Sequence, residues 1–290
     1  MPRRPVGGRR NEVEFQPLHL PLVKQGDDYI GIILDTVKRE GHELKDNDIL
    51  IVASKVVSSA LGLFVKLDDL KPSQAAQEFV KKHSIDPTLT PRVELYLGEA
   101  EDVYGGIAYK QPSFLVLWTR KNKAFSINAG VDIKNSPLGH ASLELRNPHK
   151  VADDMRKEIA KRTGKKAGVL ITDSNWYPLR NGAIGFTIGV SGFEPSKDCT
   201  TGEDGKPLLD VYGRPVPVAR QCVADCVASA GLLLIGEGGE RTGAVLARGV
   251  PVKFDENADP NLMYLSEKED TILAAFEPTR IVKTRERYKD

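Results

Sequence analysis

Apolar positions along this chain alternate between helical and strand-like spacing. Across Tyr29–Arg39, Ile30, Ile33, Leu34 and Val37 recur every three or four residues, which predicts a helix with one buried face. Ile49–Ala53 (ILIVA) is a short aliphatic run closed by Asp48 and Ser54, the signature of a strand buried on both faces. Residues 72–83 predict a second helix, with Pro72 at its start and Ala75, Ala76, Phe79 and Val80 on one side. Residues 114–118 read as another buried strand, turning at Asn122-Lys123 into a hairpin partner over residues 124–127. Pro148 opens a helix to about Thr163, where Val151, Met155 and Ile159 are spaced by four and Gly164 supplies the stop. A third strand is expected at residues 168–172, and a glycine-rich, irregular or edge strand at 183–190. Residues 199–214 read as a loop or flap, 221–235 as an apolar helix, 244–247 as a strand and 266–276 as a last helix. Helices and strands interleave without an internal repeat, so the class is mixed α/β.

Composition narrows the function. A chain of 290 residues with 40% hydrophobic and 28% charged residues can bury a real core, which excludes disorder as its main state. Lys and Arg total 41 against 40 Asp and Glu, and a net charge of +1 disfavours a nucleic-acid binder. Three cysteines cannot close a disulfide framework, and they point to a reducing, cytoplasmic compartment. No run approaches the ~20 apolar residues that span a bilayer, so no membrane partner is expected. Residues 1–13 carry four Arg in the first ten positions and read as a basic disordered tail, with the folded domain over 14–283.

Three acids occupy chemically informative places. Asp173 closes the apolar run Val169-Leu170-Ile171-Thr172, and the carboxyl end of a buried strand is where α/β sheets build ligand sites. Asp132 follows the strand at 124–127 through Asn128-Ala129-Gly130-Val131, and Glu237 lies in Gly-Glu-Gly-Gly-Glu beyond the apolar helix. With the hydroxyl of Ser174, this oxygen set suits a hard divalent cation; a turn or capping role for each acid is the alternative. Gly236, Gly238, Gly239 and Gly243 could expose backbone N–H groups to phosphates. Neither a P-loop nor a dinucleotide-binding glycine fingerprint is present. Cys222 and Cys226, four apart on one helix face, read as buried thiols rather than a zinc site. Of the five histidines, His19 stands out in a proline-rich segment; His42, His83, His140 and His149 read as surface or capping residues.

Taken in order, several segments resemble the coenzyme F420-0:gamma-glutamyl ligase family. They are residues 20–28 (LPLVKQGDD), 48–58 (DILIVASKVVS), 128–135 (NAGVDIKN), 163–175 (TGKKAGVLITDSN), 185–192 (GFTIGVSG), 210–214 (DVYGR), 222–225 (CVAD) and 236–240 (GEGGE). The resemblance implies an enzyme that adds L-glutamate to a deazaflavin coenzyme, F420-0 or a related carboxylate acceptor, at the expense of GTP and through an acyl phosphate. It implies two Mn2+ or Mg2+ ions on Asp132, Asp173, Ser174 and Glu237, with K+ as a further candidate ion. By the same resemblance GTP is held by His19, Leu20, Pro21 and Leu22, by Ser54 and Asn135, and by the loop Gly236, Gly238, Gly239, Glu240, Arg241, Thr242 and Gly243. It implies a two-lobed domain and an intertwined homodimer with the site in a groove at the interface. This chain departs from the family where a phosphate-facing Lys is usual: it has Ser59, with Lys55 or Lys66 as candidate substitutes. It also has Trp176-Tyr177 in place of Gly-Arg, two rings that could stack on a planar ligand or pack the loop against the core. Two alternatives stand beside the ligase reading: a paralogue with another acceptor, and a nucleotide- or cofactor-binding protein without turnover.

Overall fold

The computed structural model describes residues 12–265 and 282–285. In chain order its strands and helices are β1 (Glu14–His19), α1 (Tyr29–Arg39), β2 (Ile49–Ala53), α2 (Ser54–Ala60), β3 (Phe64–Lys66), α3 (Gln74–Lys82), α4 (Thr90–Glu99), β4 (Asp102–Lys110), β5 (Ser113–Lys121), β6 (Ala124–Ile127), β7 (His140–Ser142), α5 (Pro148–Thr163), β8 (Gly168–Trp176), β9 (Ala183–Ser191), β10 (Lys197–Asp198), β11 (Arg220–Gln221), α6 (Val223–Ile235), β12 (Thr242–Arg248) and β13 (Val282–Arg285). Residues 1–11 of the expected tail at 1–13, and the expected helix at 266–276, lie outside the described residues.

A five-stranded mixed sheet runs β1-β12-β2-β8-β9, with β2 and β8 parallel and every other neighbour antiparallel. Because side chains alternate along a strand, the aliphatic runs divide between two faces. Leu18, Leu50, Val52, Val169, Ile171 and Leu246 face α1 and α5. Ile49, Ile51, Leu170, Val190, Val245 and Ala247 face Ala224, Val227 and Ala228 of α6. Covering on both sides explains why β2 reads as a continuous apolar run. Helices α1 and α5 are tied at the surface by Asp28 and Arg162, 2.5 Å apart.

A separate cluster forms around the four-stranded sheet β13-β4-β5-β6. Here Ala76 and Val80 of α3 and Val93 and Tyr96 of α4 pack with Ala108, Leu115, Leu117 and Val131. The two-stranded ladder β3-β7 connects this region to α2, since Leu143 N–H donates to Leu63 O at 2.9 Å.

Several sequence expectations shift in detail. Helix α3 begins at Gln74, because Ser73 rather than Pro72 sets the start by accepting the Ala76 N–H. Helix α6 begins at Val223, since Gln221 is drawn into the β10-β11 ladder. Strand β8 continues past Thr172 to Trp176 as an antiparallel ribbon with β9. Strand β9 is both an edge strand and irregular: Ile171 pairs with Gly189 but Thr172 with Thr187, leaving Ile188 as a bulge. Its glycines serve packing, for a Cβ on Gly185 would strike the Ala228 backbone of α6. Neither of the expected buried thiols is buried: Cys226 is exposed and Cys222 half-buried, because α6 starts at the surface.

Asp48, only 1% exposed, is held by Arg248 through two hydrogen bonds of 2.8 and 2.7 Å, and also accepts the Lys45 N–H at 2.7 Å. Arg248→Leu should strand that buried carboxylate and cost about 3–5 kcal/mol in urea unfolding. A loss below about 1 kcal/mol would mean that Asp48 finds another partner. Glu144 is the second buried acid. It accepts from Asn122 Nδ2 and packs against Gly130, where a Cβ would collide with it. Burial pushes its carboxyl up to about 7, although the Asn122 hydrogen bond works the other way. The folded state thus holds this proton more tightly than the unfolded chain, and stability falls as pH rises from about 4.5 to about 7. Glu144→Gln should remove most of that fall, worth up to about 3 kcal/mol, in unfolding midpoints compared at about pH 5 and about pH 8. An unchanged pH slope would show that Glu144 does not titrate there.

Candidate functional site

Strand direction gathers the site. Strand β2 leads directly into α2, so its carboxyl end presents Ala53, Ser54 and Lys55. Its parallel neighbour β8 is aligned so that Ala53 pairs with Thr172, which sets Ser54 beside Asp173. Ser54 Oγ donates to Asp173 Oδ2 at 2.7 Å. Strand β12 is antiparallel to β2 and starts at the same edge, with Thr242 opposite His19 at the end of β1. The turn beyond β1 is bound to it by Leu20 N–H donating to Arg241 O at 3.0 Å. The carboxyl end of α6 brings Leu232, Ile235 and the glycine loop to the same place.

These ends enclose a cavity of about 810 Å3. Sixteen of the eighteen expected site residues line it: Leu20, Pro21, Leu22, Ser54, Ser59, Asp132, Asn135, Asp173, Ser174, Gly236, Glu237, Gly238, Gly239, Arg241, Thr242 and Gly243. His19 and Glu240 stand outside. His19 is exposed at the end of β1; its N–H donates to Glu40, and its carbonyl accepts from Arg39 at 2.7 Å. Glu240 folds back on its own loop and accepts the Gly238 N–H at 2.8 Å. Backbone hydrogen bonds hold its carboxyl below the usual glutamate range.

The three carboxylates have different surroundings. Asp173 accepts from Ser54 Oγ and, at 2.7 Å, from the Ser174 N–H, yet desolvation dominates and raises its pKa. Asp132 arrives on the loop after β6, held by a reciprocal backbone pair with Ser142 at 3.1 and 2.7 Å. Its Oδ1 accepts the Lys134 N–H at 2.9 Å, and its Oδ2 lies 3.2 Å from Lys55 Nζ. Lys55 also donates to Ser142 Oγ. Glu237 is paired with Lys134 Nζ at 2.6 Å and lies 3.4 Å from Ser174 Oγ. Burial works against the charge on Lys134, but the Glu237 hydrogen bond and the fields of Asp132 and Asp173 outweigh it and raise its pKa. Asn135 Nδ2 donates to Gly238 O at 2.8 Å, which joins the Asp132 loop to the glycine loop.

Three carboxylates and a hydroxyl on one wall are the donor chemistry of a hard divalent cation. Among the described residues no three His, Cys, Asp or Glu side chains are already drawn together as a cage. Lys55 and Lys134 neutralise two of the carboxylates instead, and both Asp132 and Glu237 keep more than two fifths of their side chains accessible. Lys24 and Arg241 also line the cavity, giving four cations against three carboxylates, a balance suited to an anionic ligand.

Sequence reasoning passed over some of this wall. Lys134 sits inside the segment 128–135 but was not among the candidate residues, although a Lys between Asp132 and Asn135 is itself a charge signal. Lys24 and Gln25 were likewise not singled out. His140, read as a surface or capping residue, also lines the cavity, because β7 pairs with β3 and carries it there. Trp176 and Tyr177 are 41% and 50% exposed and lie outside the cavity wall, because β8 runs on into the ribbon with β9.

Comparison with known proteins agrees with this arrangement of motifs. The family described as F420-0:Gamma-glutamyl ligase matches residues 17–249. The coenzyme F420:L-glutamate ligase of Archaeoglobus fulgidus is 35% identical over 261 residues, covering 90% of this chain and 96% of the relative. That of Methanothermobacter thermautotrophicus is 34% identical, covering 80% of this chain and 86% of the relative. That of Methanocaldococcus jannaschii is 32% identical, covering 90% and 97%. Matched in this way along most of its length, the chain belongs to the F420-0:gamma-glutamyl ligase family and is a ligase.

Proposed function

We propose that this protein joins the amino group of L-glutamate to a carboxylate of coenzyme F420-0, or of a closely related acceptor, with GTP converted to GDP. The observation that supports this most directly is the convergence of three carboxylates, four cations and a glycine loop on one cavity, in a chain of this family. In the proposed reaction the acceptor carboxylate oxygen attacks the γ-phosphorus and GDP leaves. The glutamate nitrogen then attacks the acyl carbon of the mixed anhydride, phosphate leaves, and the amine gives up a proton.

Two Mn2+ or Mg2+ ions, when bound by Asp132, Asp173, Ser174 and Glu237, supply positive charge to the transferring phosphoryl group. The chain's own groups do the rest. In the glycine loop the Gly239 N–H binds phosphate oxygens, those of Gly236 and Gly238 being already given to Leu232 O and Glu240. Leu20, Pro21, Leu22 and Arg241 form the wall against which the nucleotide rests, and Ser54 holds Asp173 in place through its hydroxyl. No side-chain nucleophile is required, since the reacting groups belong to the substrates. The four cations that remain around the cavity support turnover despite Ser59, and so favour a working ligase over a binding protein without activity.

A homodimer, in a two-lobed arrangement, is the assembly we infer. Its basis in this chain is the excursion between β10 and β11, where Leu209, Val211, Tyr212 and Val218 are at least 60% exposed, together with Leu233 on α6 at 85%. Strand β9 contributes nothing to this argument, because α5 and α6 already bury most of it. We place the enzyme in the cytoplasm on the strength of its three unpaired thiols.

Incubation with F420-0, L-glutamate, GTP and Mn2+ should release GDP and give a product heavier by one or more glutamyl residues in mass spectrometry. GDP release without that mass gain would point to another acceptor. Asp173→Asn should abolish this turnover while leaving the metal-free protein as stable as the wild type or slightly more so. The reason is that burial already disfavours the Asp173 charge. A loss above about 2 kcal/mol in metal-free unfolding would instead mark Asp173 as a structural hydrogen-bond anchor. Light scattering should report a dimer as the smallest active species, and an active monomer at low micromolar concentration would refute that assembly.

A further inference from the structure

Ser59 lies on the cavity wall, 9% exposed, and its hydroxyl brings no positive charge to a phosphate. The cavity therefore needs its phosphate-facing cation from elsewhere. Lys66 is excluded by position: it lies outside the wall and pairs with Asp69 at 3.5 Å. Lys55 reaches the cavity but is committed twice, to Asp132 and to Ser142, with only 24% of its side chain accessible. Lys24 and Arg241 line the wall, but no carboxylate of the oxygen set holds either of them.

Lys134 differs from all four. Its Nζ lies 2.6 Å from Glu237 Oε2, and its side chain is 52% exposed. Its backbone is pinned by Asp132 on one side, and its neighbour Asn135 grips Gly238 on the other. It stands at the junction of the acidic loop and the glycine loop. An ion on Glu237 and the ammonium of Lys134 compete for the same oxygen, and two like charges cannot share it cheaply in a cavity of reduced dielectric. Once displaced, the ammonium remains on a stem anchored beside the glycine loop.

We propose that Lys134 is the phosphate-facing cation of this chain, that it holds Glu237 while no divalent ion is bound, and that it passes to the nucleotide phosphates when an ion takes Glu237. The proposal rests on reading the cavity as a metal and nucleotide site.

The test compares wild type, Lys134→Met and Lys134→Arg in two equilibrium measurements, without turnover. Mn2+ binding alone is read from the free-ion paramagnetic resonance signal, and GTP binding at saturating Mn2+ by calorimetry. Lys134→Met should bind Mn2+ several-fold more tightly, because the competitor is gone, and GTP about tenfold more weakly. Lys134→Arg should keep GTP affinity within about threefold of wild type, as a cation still faces the phosphates. Unchanged GTP affinity in Lys134→Met, or Mn2+ affinity that fails to rise, overturns the proposal. A wild type that binds both ligands keeps the site reading intact in that case. A wild type that binds neither removes the site reading, and the proposal with it.

Discussion

The parallel register between β2 and β8 is the constraint on which the site depends. Pairing Ile49 with Gly168 through Ala53 with Thr172 brings both carboxyl ends to one level, so the hydroxyl of Ser54 meets the carboxylate of Asp173. A slip of one residue would turn Ile51 and Leu170, both fully buried beneath α6, toward the wrong face. The hydrophobic cost of such a slip fixes the geometry of the polar end. The antiparallel neighbours β12 and β1 then have no freedom in where they deliver Thr242 and Leu20. The oxygen set is held in place by aliphatic side chains that never touch it.

Charge within the cavity follows a related logic. Three carboxylates close together would repel one another and invite protonation. At Asp173 burial raises the pKa despite two hydrogen bonds, and the nearby Asp132 adds to that rise. Lys55 and Lys134 relieve the repulsion at Asp132 and Glu237 through ion pairs accessible enough to be exchanged. The buried Asp48–Arg248 pair has the opposite character. Its carboxylate is 1% exposed and doubly bonded, and it serves to fasten β12 to the turn before β2. Exposure therefore separates the ion pairs that can be exchanged from those that hold the fold.

The sheet was largely legible from the chain, and for a simple reason. Strand β2 and the start of β8 are buried on both faces, so composition alone marks them. Helices α1 and α5 carried their apolar stripes plainly, and Pro148 and Gly164 marked the bounds of α5. Other elements gave weaker signals. Strand β1 contains Pro17, β4 is interrupted by Gly105-Gly106, and α2 follows β2 with no intervening loop and three serines in seven residues. Each is stabilised by tertiary contacts rather than by local pattern. Most of the expected site residues reach one wall because they lie in motifs at strand and helix ends. Lys134 went unseen because which way a long cation reaches depends on neighbours distant in sequence: it finds Glu237 across 103 positions.

The glycine loop stands at the end of a helix that does not favour anions. P-loop proteins set phosphates at a helix N-terminus, where the dipole and free N–H groups favour an anion. Here the loop follows the C-terminus of α6, with Gly236 at φ 76° as its cap. That end of the helix carries about half a negative charge, which opposes phosphate binding. The Gly236 N–H is already spent on Leu232 O at 2.9 Å. In the nucleotide site proposed above, net attraction for a polyphosphate comes from side chains and bound ions. Lys24, Lys55, Lys134 and Arg241 surround the loop, and the carboxylates opposite are suited to recruiting divalent charge. A phosphate at the unfavourable end of a helix, as the proposed reaction has it, would thus require the dense mixture of lysine and carboxylate found here.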